Sequence, residues 1–234
     1  MMQHGARRFA AAAVTLAALS TSASAIERPV VVELFTSQAC SSCPPADALL
    51  GELAHRPGVL ALGFHITYWN GTGWTDPLSS PAATARQEAY ARRFNGGQVY
   101  TPEMVVDGEH DMVGSDRGKV LAAIAAAKPQ AGAPVAFAAD GRSVEIGRGA
   151  GSGRVLLVRY LRRRTTKIAG GENAGRTLSD ANGVESLMTL GTWDGALQHF
   201  AVAPPVPGEG LAVVVQAPSG GFLGAAAITA AAGS

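Results

Sequence analysis

Two near-continuous apolar runs, at residues 30–35 and 59–66, dominate the first third of the chain and flank a segment with helical spacing. Runs of β-branched and apolar residues of this length are typical of strands buried on both faces, as in a parallel or mixed sheet. Between them, leucines recur on one helix face until Pro57-Gly58 ends the pattern. The pattern therefore predicts a β-α-β unit over residues 30–66.

The pattern continues with a loop rich in glycine and aromatic residues, followed by a second predicted helix. A short strand is predicted at residues 104–106, and Asp107-Gly108 indicates a hairpin turn to a weaker strand near residues 110–113. A third helix then extends to residue 128. The predicted order is β-α-β-α-β-β-α, which we expect to form an α/β domain with a four-stranded mixed sheet.

From Val135 onward the pattern changes to short strands separated by glycine-rich turns. This pattern predicts a small, all-β, sandwich-like domain. Residues 129–134 are expected to link an α/β domain at 26–130 to a β-rich domain at 131–234. The clearest predicted strands are residues 135–139, 143–146, 154–160, 184–193, 211–216 and 222–228.

The first 25 residues have the features of a secretory signal peptide. Arg7 and Arg8 precede an apolar run at residues 9–19, and Ala23-Ser24-Ala25 is a small-residue cleavage site. The run is well short of the roughly 20 residues that a membrane span requires, although an uncleaved anchor is the alternative. We therefore expect cleavage after Ala25 and a periplasmic or secreted mature chain with no membrane span.

Both cysteines of the chain lie in the segment TSQACSSCPPAD, between a predicted strand and a predicted helix. A thiol reacts as its thiolate, and the unpaired N–H groups at a helix N-terminus favour that form. We expect Cys40 to be the more exposed and more acidic sulfur, and Cys43 to resolve a mixed disulfide with a substrate. This pattern predicts a redox pair.

Two other roles of the cysteine pair remain open. A structural disulfide is natural in an oxidising compartment, but one that joins Cys40 to Cys43 closes almost no loop and stabilises little. A structural zinc site needs about four ligands, and the chain has two cysteines with no histidine near them in sequence.

Three further residues are expected to serve the cysteines. Glu33 lies within an apolar strand, where a carboxylate usually has a raised pKa, so it is a candidate proton relay to Cys43. The alternative is a half-exposed strand on which Glu33 faces outward. Thr101-Pro102 precedes the third strand, where a cis proline would place the Thr101 backbone beside the sulfurs; an ordinary strand-entry proline is the alternative.

A substrate groove is predicted above the cysteines from the aromatic loop between the second strand and the second helix. A packed loop that covers the sheet is the alternative for these aromatic residues, and a buried core role is expected for His65. The residues expected to bind substrate are Gln38, Ser41, Ser42, Trp69, Trp74 and Tyr100. The polar segment GENAGRTL, residues 171–178, is expected to fix the second domain to the first, or else to form part of a substrate site.

The chain resembles the thioredoxin superfamily in two segments, VELFTSQACSSC and YTPEMVVDG. The resemblance implies a thioredoxin-like first domain, with Cys40 as nucleophile and Cys43 as resolving thiol. It also implies that Pro102 is the cis proline of that superfamily and that Glu33 is its buried acid. Glu33 stands one residue further from the first cysteine than is usual there.

More narrowly, the chain resembles domain-of-unknown-function family 1223, a family of exported bacterial proteins with a thioredoxin-like first half and a β-rich second half. The segments that carry this resemblance are ELFTSQACSSCPPADALLGELA, YWNGTGWTDPLSSPAATARQEAYA, VYTPEMVVDG and GENAGRTL. Family members often carry acidic residues where this chain has Thr67 and Asn70, which weakens any metal site at His65. The resemblance implies the fold but names no substrate.

Two functions are consistent with the sequence. The first is an exported thiol–disulfide oxidoreductase that needs no cofactor and no metal, but does need protein thiols or disulfides of the cell envelope and a redox partner protein. The second is a thioredoxin-like binding module for a protein partner or for Cu(I), without turnover. The formal net charge of +1 is typical of neither a DNA-binding nor an RNA-binding protein, so no nucleic-acid partner is expected.

Overall fold

The computed structural model describes residues 1–2, 28–127 and 132–230. Apart from Met1 and Met2, the predicted signal peptide lies outside these residues, as does part of the predicted linker. No helix in the described ranges has the length and apolar character needed to cross a membrane. The elements are β1 (Val30–Thr36), α1 (Pro44–Leu53), β2 (Val59–His65), α2 (Pro81–Phe94), β3 (Glu103–Val106), β4 (His110–Val113), α3 (Arg117–Ala126), β5 (Val135–Phe137), β6 (Ser143–Ile146), β7 (Gly153–Lys167), β8 (Thr177–Trp193), β9 (Gln198–Ala201), β10 (Glu209–Gln216) and β11 (Phe222–Thr229).

One mixed sheet of eight strands, in the order β11-β10-β7-β8-β2-β1-β3-β4, forms the centre of the molecule. β1 pairs in parallel with β2 and antiparallel with β3, in the predicted β-α-β-α-β-β-α order. The prediction of a four-stranded sheet is wrong, because β8 pairs with β2 and continues the sheet into the second half of the chain. This pairing covers a strand edge that would otherwise present unpaired backbone groups.

The two halves of the large sheet meet at a glycine pair. β2 and β8 are joined in parallel register at Gly63 and Gly183, and the Asn182 side chain donates to the carbonyl oxygen of Ala61 at 2.8 Å. A Cβ atom at Gly183 would lie 3.0 Å from Cδ1 of Leu78, so a larger residue there would require the Leu78 side chain to shift.

The second half is not a separate sandwich of its own strands. A three-stranded antiparallel sheet, β5-β6-β9, packs on the face of the large sheet formed by β7 and β10. Its inward residues, such as Val144 and Ile146, pack with Val155 and Leu211 of the large sheet. One layer of the predicted sandwich is therefore part of the same sheet as β1 to β4. The division of the chain at residue 130 stays a prediction.

Alternation along β1 decides which helix each of its side chains contacts. Val31 and Phe35 pack in the core on the α2 side of the sheet, whereas Val32 and Leu34 pack in the core on the α1 and α3 side. Glu33 shares the α2 face with Val31 and Phe35, and it bonds to residues of α2.

The long hairpin of β7 and β8 extends further than predicted, and its polar outer part reaches residues near the cysteines. The apolar pattern predicts these strands only at 154–160 and 184–193, because the segments LRRRTTK and TLSDANG lack an apolar face. Those segments pair with each other as far as Lys167 and Thr177. Residues 168–176, which we call the hairpin tip, connect them.

Candidate active site

Cys40 and Cys43 form a disulfide in the loop between β1 and α1. Cys43 is the N-cap residue of α1, and Pro44 and Pro45 follow in the first turn, where a missing N–H group is tolerated. Cys40 is 1% exposed and Cys43 is 0% exposed. Both cysteines are therefore buried, and the expectation that Cys40 is the more exposed sulfur stays a prediction.

Thr101 and Trp69 form a short hydrogen-bond chain that ends at the disulfide. The Thr101 hydroxyl donates to Sγ of Cys40 at 3.4 Å, and the Trp69 indole N–H donates to the Thr101 hydroxyl oxygen at 2.8 Å. The Thr101-Pro102 peptide bond is cis. The structure thus brings together five of the predicted site residues, Cys40, Cys43, Trp69, Thr101 and Pro102. The Thr101 hydroxyl hydrogen points at the sulfur of Cys40, which would carry negative charge as a thiolate.

The hairpin tip contacts the cysteine loop directly. The side-chain amide of Asn173 donates to the carbonyl oxygens of Gln38 at 3.0 Å and Cys40 at 2.8 Å. The carboxylate of Glu172 accepts the backbone N–H of Ser41 at 3.0 Å. Arg176 in turn donates to Oδ1 of Asn173 at 2.7 Å. The segment GENAGRTL therefore both ties the two halves of the chain together and forms part of the disulfide site.

Gln38 connects the cysteine loop to three residues that lie far from it in sequence. It is 1% exposed, its backbone N–H donates to Oδ2 of Asp76 at 2.8 Å, and its side-chain amide donates to Oδ2 of Asp180 at 2.7 Å. The Trp74 indole N–H donates to Oε1 of Gln38 at 3.2 Å. Gln38 and Trp74, expected to bind substrate, thus hold the loop by contacts with each other.

His65 is a buried and fully engaged core residue. Its Nδ1 lies 2.7 Å from Oδ2 of Asp76, and both side chains are nearly inaccessible to solvent. Burial lowers the pKa of His65, but the hydrogen bond and charge of Asp76 outweigh burial and raise that pKa to about 9. The resulting ion pair stabilises the segment that precedes α2.

Glu33 does not join the cysteines. Its carboxylate accepts from Nε of Arg86 at 2.6 Å, from Nη2 of Arg86 at 2.9 Å and from the Tyr90 hydroxyl at 2.5 Å, all on the α2 side of the sheet. Side chains alternate along β1, so Glu33 lies on the α2 face together with Val31 and Phe35, whereas Val32 and Leu34 face α1 and α3. These contacts do not support the expected proton relay from Glu33 to Cys43, because Arg86 and Tyr90 occupy both oxygens of the Glu33 carboxylate.

Asp47 of α1 is a half-buried carboxyl group that the sequence pattern did not indicate. It lies one turn after Cys43 in α1, and its backbone N–H donates to the Cys43 carbonyl oxygen at 3.1 Å. The Thr36 hydroxyl donates to its Oδ1 at 2.7 Å. Burial raises the pKa of Asp47 to about 7, against the smaller lowering effects of the His65 charge and the Thr36 hydrogen bond. The i, i+4 spacing from Cys43 is the sequence feature that would have found it.

Asp47 borders a cavity. A cavity of about 680 Å³ lies between α1 and the β7–β8 hairpin, and Asp47, Gly51, Arg163 and Asp180 are among the residues that line it. Asp47 itself is half-buried. A carboxyl group with this pKa at the edge of a cavity is able to exchange protons near neutral pH.

The remaining predicted site residues lie at the rim. Ser41 and Ser42 are exposed, and the Ser42 hydroxyl lies 3.3 Å from Sγ of Cys40. Tyr100 is half-buried, and its hydroxyl donates to Oδ2 of Asp111 at 3.1 Å. Glu103, next to Pro102, is a second overlooked carboxyl group, and burial raises its pKa to about 7.

Comparison with known proteins identifies relatives by sequence and by structure. The X-ray structure of protein AGR_C_4864 from Agrobacterium tumefaciens is 30% identical to this chain with a TM-score of 0.76, covering 89% of this chain and 97% of that one. HBP35 of Porphyromonas gingivalis is 14% identical with a TM-score of 0.51, covering 87% of this chain and 75% of that one, so the likeness concerns the fold alone.

No curated protein matches the sequence. The family model described as "Protein of unknown function (DUF1223)" matches residues 31–216, which include the disulfide, the cis peptide bond and the hairpin tip. The chain belongs to the DUF1223 family.

Proposed function

We propose that this chain is a thiol–disulfide oxidoreductase with a thioredoxin-like active site, in which Cys40 exchanges with the substrate and Cys43 resolves the mixed disulfide. The observation that carries the proposal is the hydrogen bond, 3.4 Å long, from the Thr101 hydroxyl to Sγ of Cys40. Cys40 is joined by the disulfide to Cys43, the N-cap residue of α1. A disulfide across three positions stabilises little by closing so short a loop, so redox chemistry explains this arrangement better than a structural staple does.

The proposed reaction moves two electrons between the cysteine pair and a protein dithiol. A substrate thiolate attacks Sγ of Cys40, the Cys40–Cys43 bond breaks, and Cys43 leaves as a thiolate. The second substrate thiolate then attacks the substrate sulfur of the mixed disulfide and releases Cys40 as a thiolate. The substrate ends as a disulfide and the protein as a dithiol with two protons; the reverse sequence reduces a substrate disulfide.

Asp47 takes the proton-transfer role first expected of Glu33. Cys43 is fully buried, so a proton must reach its departing thiolate from within the protein. Residues four apart on a helix have Cβ atoms about 5–6 Å apart, which places the Asp47 side chain next to Cys43. With a pKa of about 7, Asp47 is partly protonated at neutral pH and donates to the Cys43 thiolate, then regains a proton through the cavity.

The proposed location and partners follow from the N-terminal sequence. We infer a cleavable signal peptide at residues 1–25, export to the periplasm or beyond, and protein thiols or disulfides of the cell envelope as clients. A second protein must restore the redox state of the cysteine pair after each turnover.

The test is the redox equilibrium of the chain from residue 26 onward against glutathione, with free thiols counted by alkylation and mass. A defined midpoint, reached through a mixed disulfide on Cys40, is expected. The substitution Cys40→Ser should abolish exchange while the melting temperature changes little, because the disulfide constrains so short a loop. A pair that never exchanges, or a Cys40→Ser variant that unfolds, would mean that the disulfide is structural and would overturn the proposal.

A further inference from the structure

Few backbone N–H groups around the disulfide are free to bind a thiolate. The N–H of Cys43 donates to the carbonyl oxygen of Cys40 at 3.3 Å, and Pro44 and Pro45 have no N–H group. The N–H of Ser41, which follows Cys40 directly, is bonded to the Glu172 carboxylate at 3.0 Å. A helix N-terminus stabilises a thiolate through such N–H groups, so Ser41, Cys43, Pro44 and Pro45 contribute little of that stabilisation.

We infer that Glu172 sets the redox equilibrium of the Cys40–Cys43 pair by occupying the Ser41 N–H group and by placing a negative charge beside Cys40, so that it favours the disulfide over the dithiol. The inference rests on the proposed exchange function. The disulfide carries no charge, whereas the reduced pair exposes a thiolate at Cys40 to the charge of Glu172. Glu172 is a positioning and tuning residue, since it acts on the sulfur through Ser41 and through its field.

The hairpin tip is built to keep Glu172 in this position. Its neighbour Asn173 is 1% exposed and bonds to two carbonyl oxygens of the cysteine loop. A Cβ atom at Gly170 would lie 2.0 Å from the carbonyl oxygen of Gly73, so the tip sits against the aromatic loop in a contact that only glycine permits. These contacts hold the tip to the site although the Glu172 side chain is itself exposed.

The charged groups around the cysteine loop differ in how they contact it. Asp76, which is paired with His65, accepts the backbone N–H of Gln38, and Asp180 accepts the side-chain amide of Gln38. Asp47 lies in α1 and accepts the Thr36 hydroxyl. Glu172 is bonded to Ser41, between the two cysteines. Its bond with Ser41 also lowers the pKa of Glu172, which keeps it ionised at neutral pH.

The experiment compares Glu172→Gln and Glu172→Ala with the wild-type chain in the glutathione equilibrium and in the pH dependence of Cys40 alkylation after reduction. Glu172→Gln removes the charge but keeps an acceptor for Ser41, and Glu172→Ala removes both. We expect each to favour the dithiol by about threefold to tenfold, the upper value corresponding to about 30 mV toward a stronger oxidant. The pKa of Cys40 should fall in both variants, and salt should reduce the difference because the carboxylate is exposed.

The matched control is Glu185→Gln, which removes the same charge from an exposed position on β8. This control should change neither the equilibrium with glutathione nor the pKa of Cys40. An unchanged equilibrium and an unchanged Cys40 pKa in both Glu172 variants would overturn the inference, as would an equal shift in the control.

Failure of the proposed function has a different signature from failure of this inference. If the native wild-type disulfide does not exchange, the proposed function fails, and the chain is then reduced in denaturant and refolded for the alkylation measurement alone. A lower Cys40 pKa in the Glu172 variants than in the refolded wild type would still support the tuning role. Equal values in all refolded chains would exclude it.

Discussion

Glu33 and Asp47 are acidic residues of the same half of the molecule, on opposite sides of the sheet, and their surroundings differ. Glu33 is 1% exposed and accepts three hydrogen bonds, two from Arg86 and one from Tyr90. Asp47 has one side-chain hydrogen bond among the described residues, from the Thr36 hydroxyl, and it borders a cavity. The first carboxylate is paired with a cation, and the second has no cation bonded to it.

The difference separates a structural carboxylate from a chemical one. The Glu33 carboxylate is held by Arg86 and Tyr90, which together occupy both of its oxygens. Burial without a bonded cation raises the pKa of Asp47 to about 7, in the range where proton transfer is efficient. Burial of an acidic residue is therefore insufficient to identify a proton donor, and the groups bonded to its carboxylate must be considered as well.

The largest effect should come from breaking the Glu33 pair. The substitution Arg86→Met leaves the Glu33 carboxylate buried without a cation, which typically costs about 3–5 kcal/mol of the free energy of unfolding. Urea denaturation followed by circular dichroism measures this loss. The matched control is Arg92→Met on the same helix, where the pair with Glu88 is 4.0 Å long and 65% and 52% exposed, and its loss should be below about 1 kcal/mol.

A double variant tests the cause of that loss. Glu33→Leu together with Arg86→Met removes both charges, and it should recover most of the stability because no buried charge remains unpaired. If the double variant is as unstable as Arg86→Met alone, the loss comes from missing arginine packing against Phe64 and Tyr90, and the ion-pair explanation is wrong.

The second effect, on rate, concerns Asp47. The substitution Asp47→Asn keeps the size of the side chain but removes its transferable proton, so reduction of the disulfide by dithiothreitol should slow by about 100-fold, as is typical for loss of a general acid. Corrected for the thiolate fraction of the reagent, the wild-type rate should fall as the pH rises through about 7. The variant should lack this step, and its rate is followed by alkylation and mass.

Glu52→Gln provides the control on the same helix, since Glu52 is exposed and pairs with Arg117 at the surface. It should leave both the rate and its pH dependence unchanged. A wild-type rate without any step near pH 7, or an Asp47→Asn rate equal to the wild type, would remove Asp47 from the mechanism.

The sequence pattern could predict the order of elements in the first half, because long apolar runs and leucines at helical spacing are local features. It could not predict the eight-stranded sheet, because β2 and β8 meet at a single register pair, Gly63 with Gly183, which has no hydrophobic pattern. The outer parts of β7 and β8 were missed for a related reason. Their polar residues are satisfied by pairing with each other beyond the core, where no apolar face is required.

The candidate site was predictable where its residues are close in sequence or follow a familiar order. Cys40, Cys43, Thr101 and Pro102 were expected together and are found together. The contact between Glu172 and Ser41 joins residues 131 positions apart, so only the folded chain reveals it. The face of β1 on which Glu33 lies, in contrast, follows from the alternation of side chains along a strand, which the sequence already contains.

The smallest expected effect is the pH dependence of stability that Asp47 contributes. Its pKa is about 7 in the folded chain, against an ordinary value of 3.8, so the folded state holds this proton more tightly than the unfolded state does. The stability that this proton confers is complete below about pH 4 and is lost as the pH rises through about 7. The free energy of unfolding of Asp47→Asn, relative to the wild type, should therefore rise by about 1–2 kcal/mol between pH 4 and 8, less than burial alone would give because solvent in the cavity screens the charge.

Taking the difference between the two chains at each pH cancels the other titrating groups, such as His65, to first order. Urea denaturation at several pH values gives this difference directly. A difference that stays flat from pH 4 to 8 would show that Asp47 is already ionised throughout this range in the folded protein. Asp47 would then have no raised pKa, and the stability measurements would not support the difference proposed between its surroundings and those of Glu33.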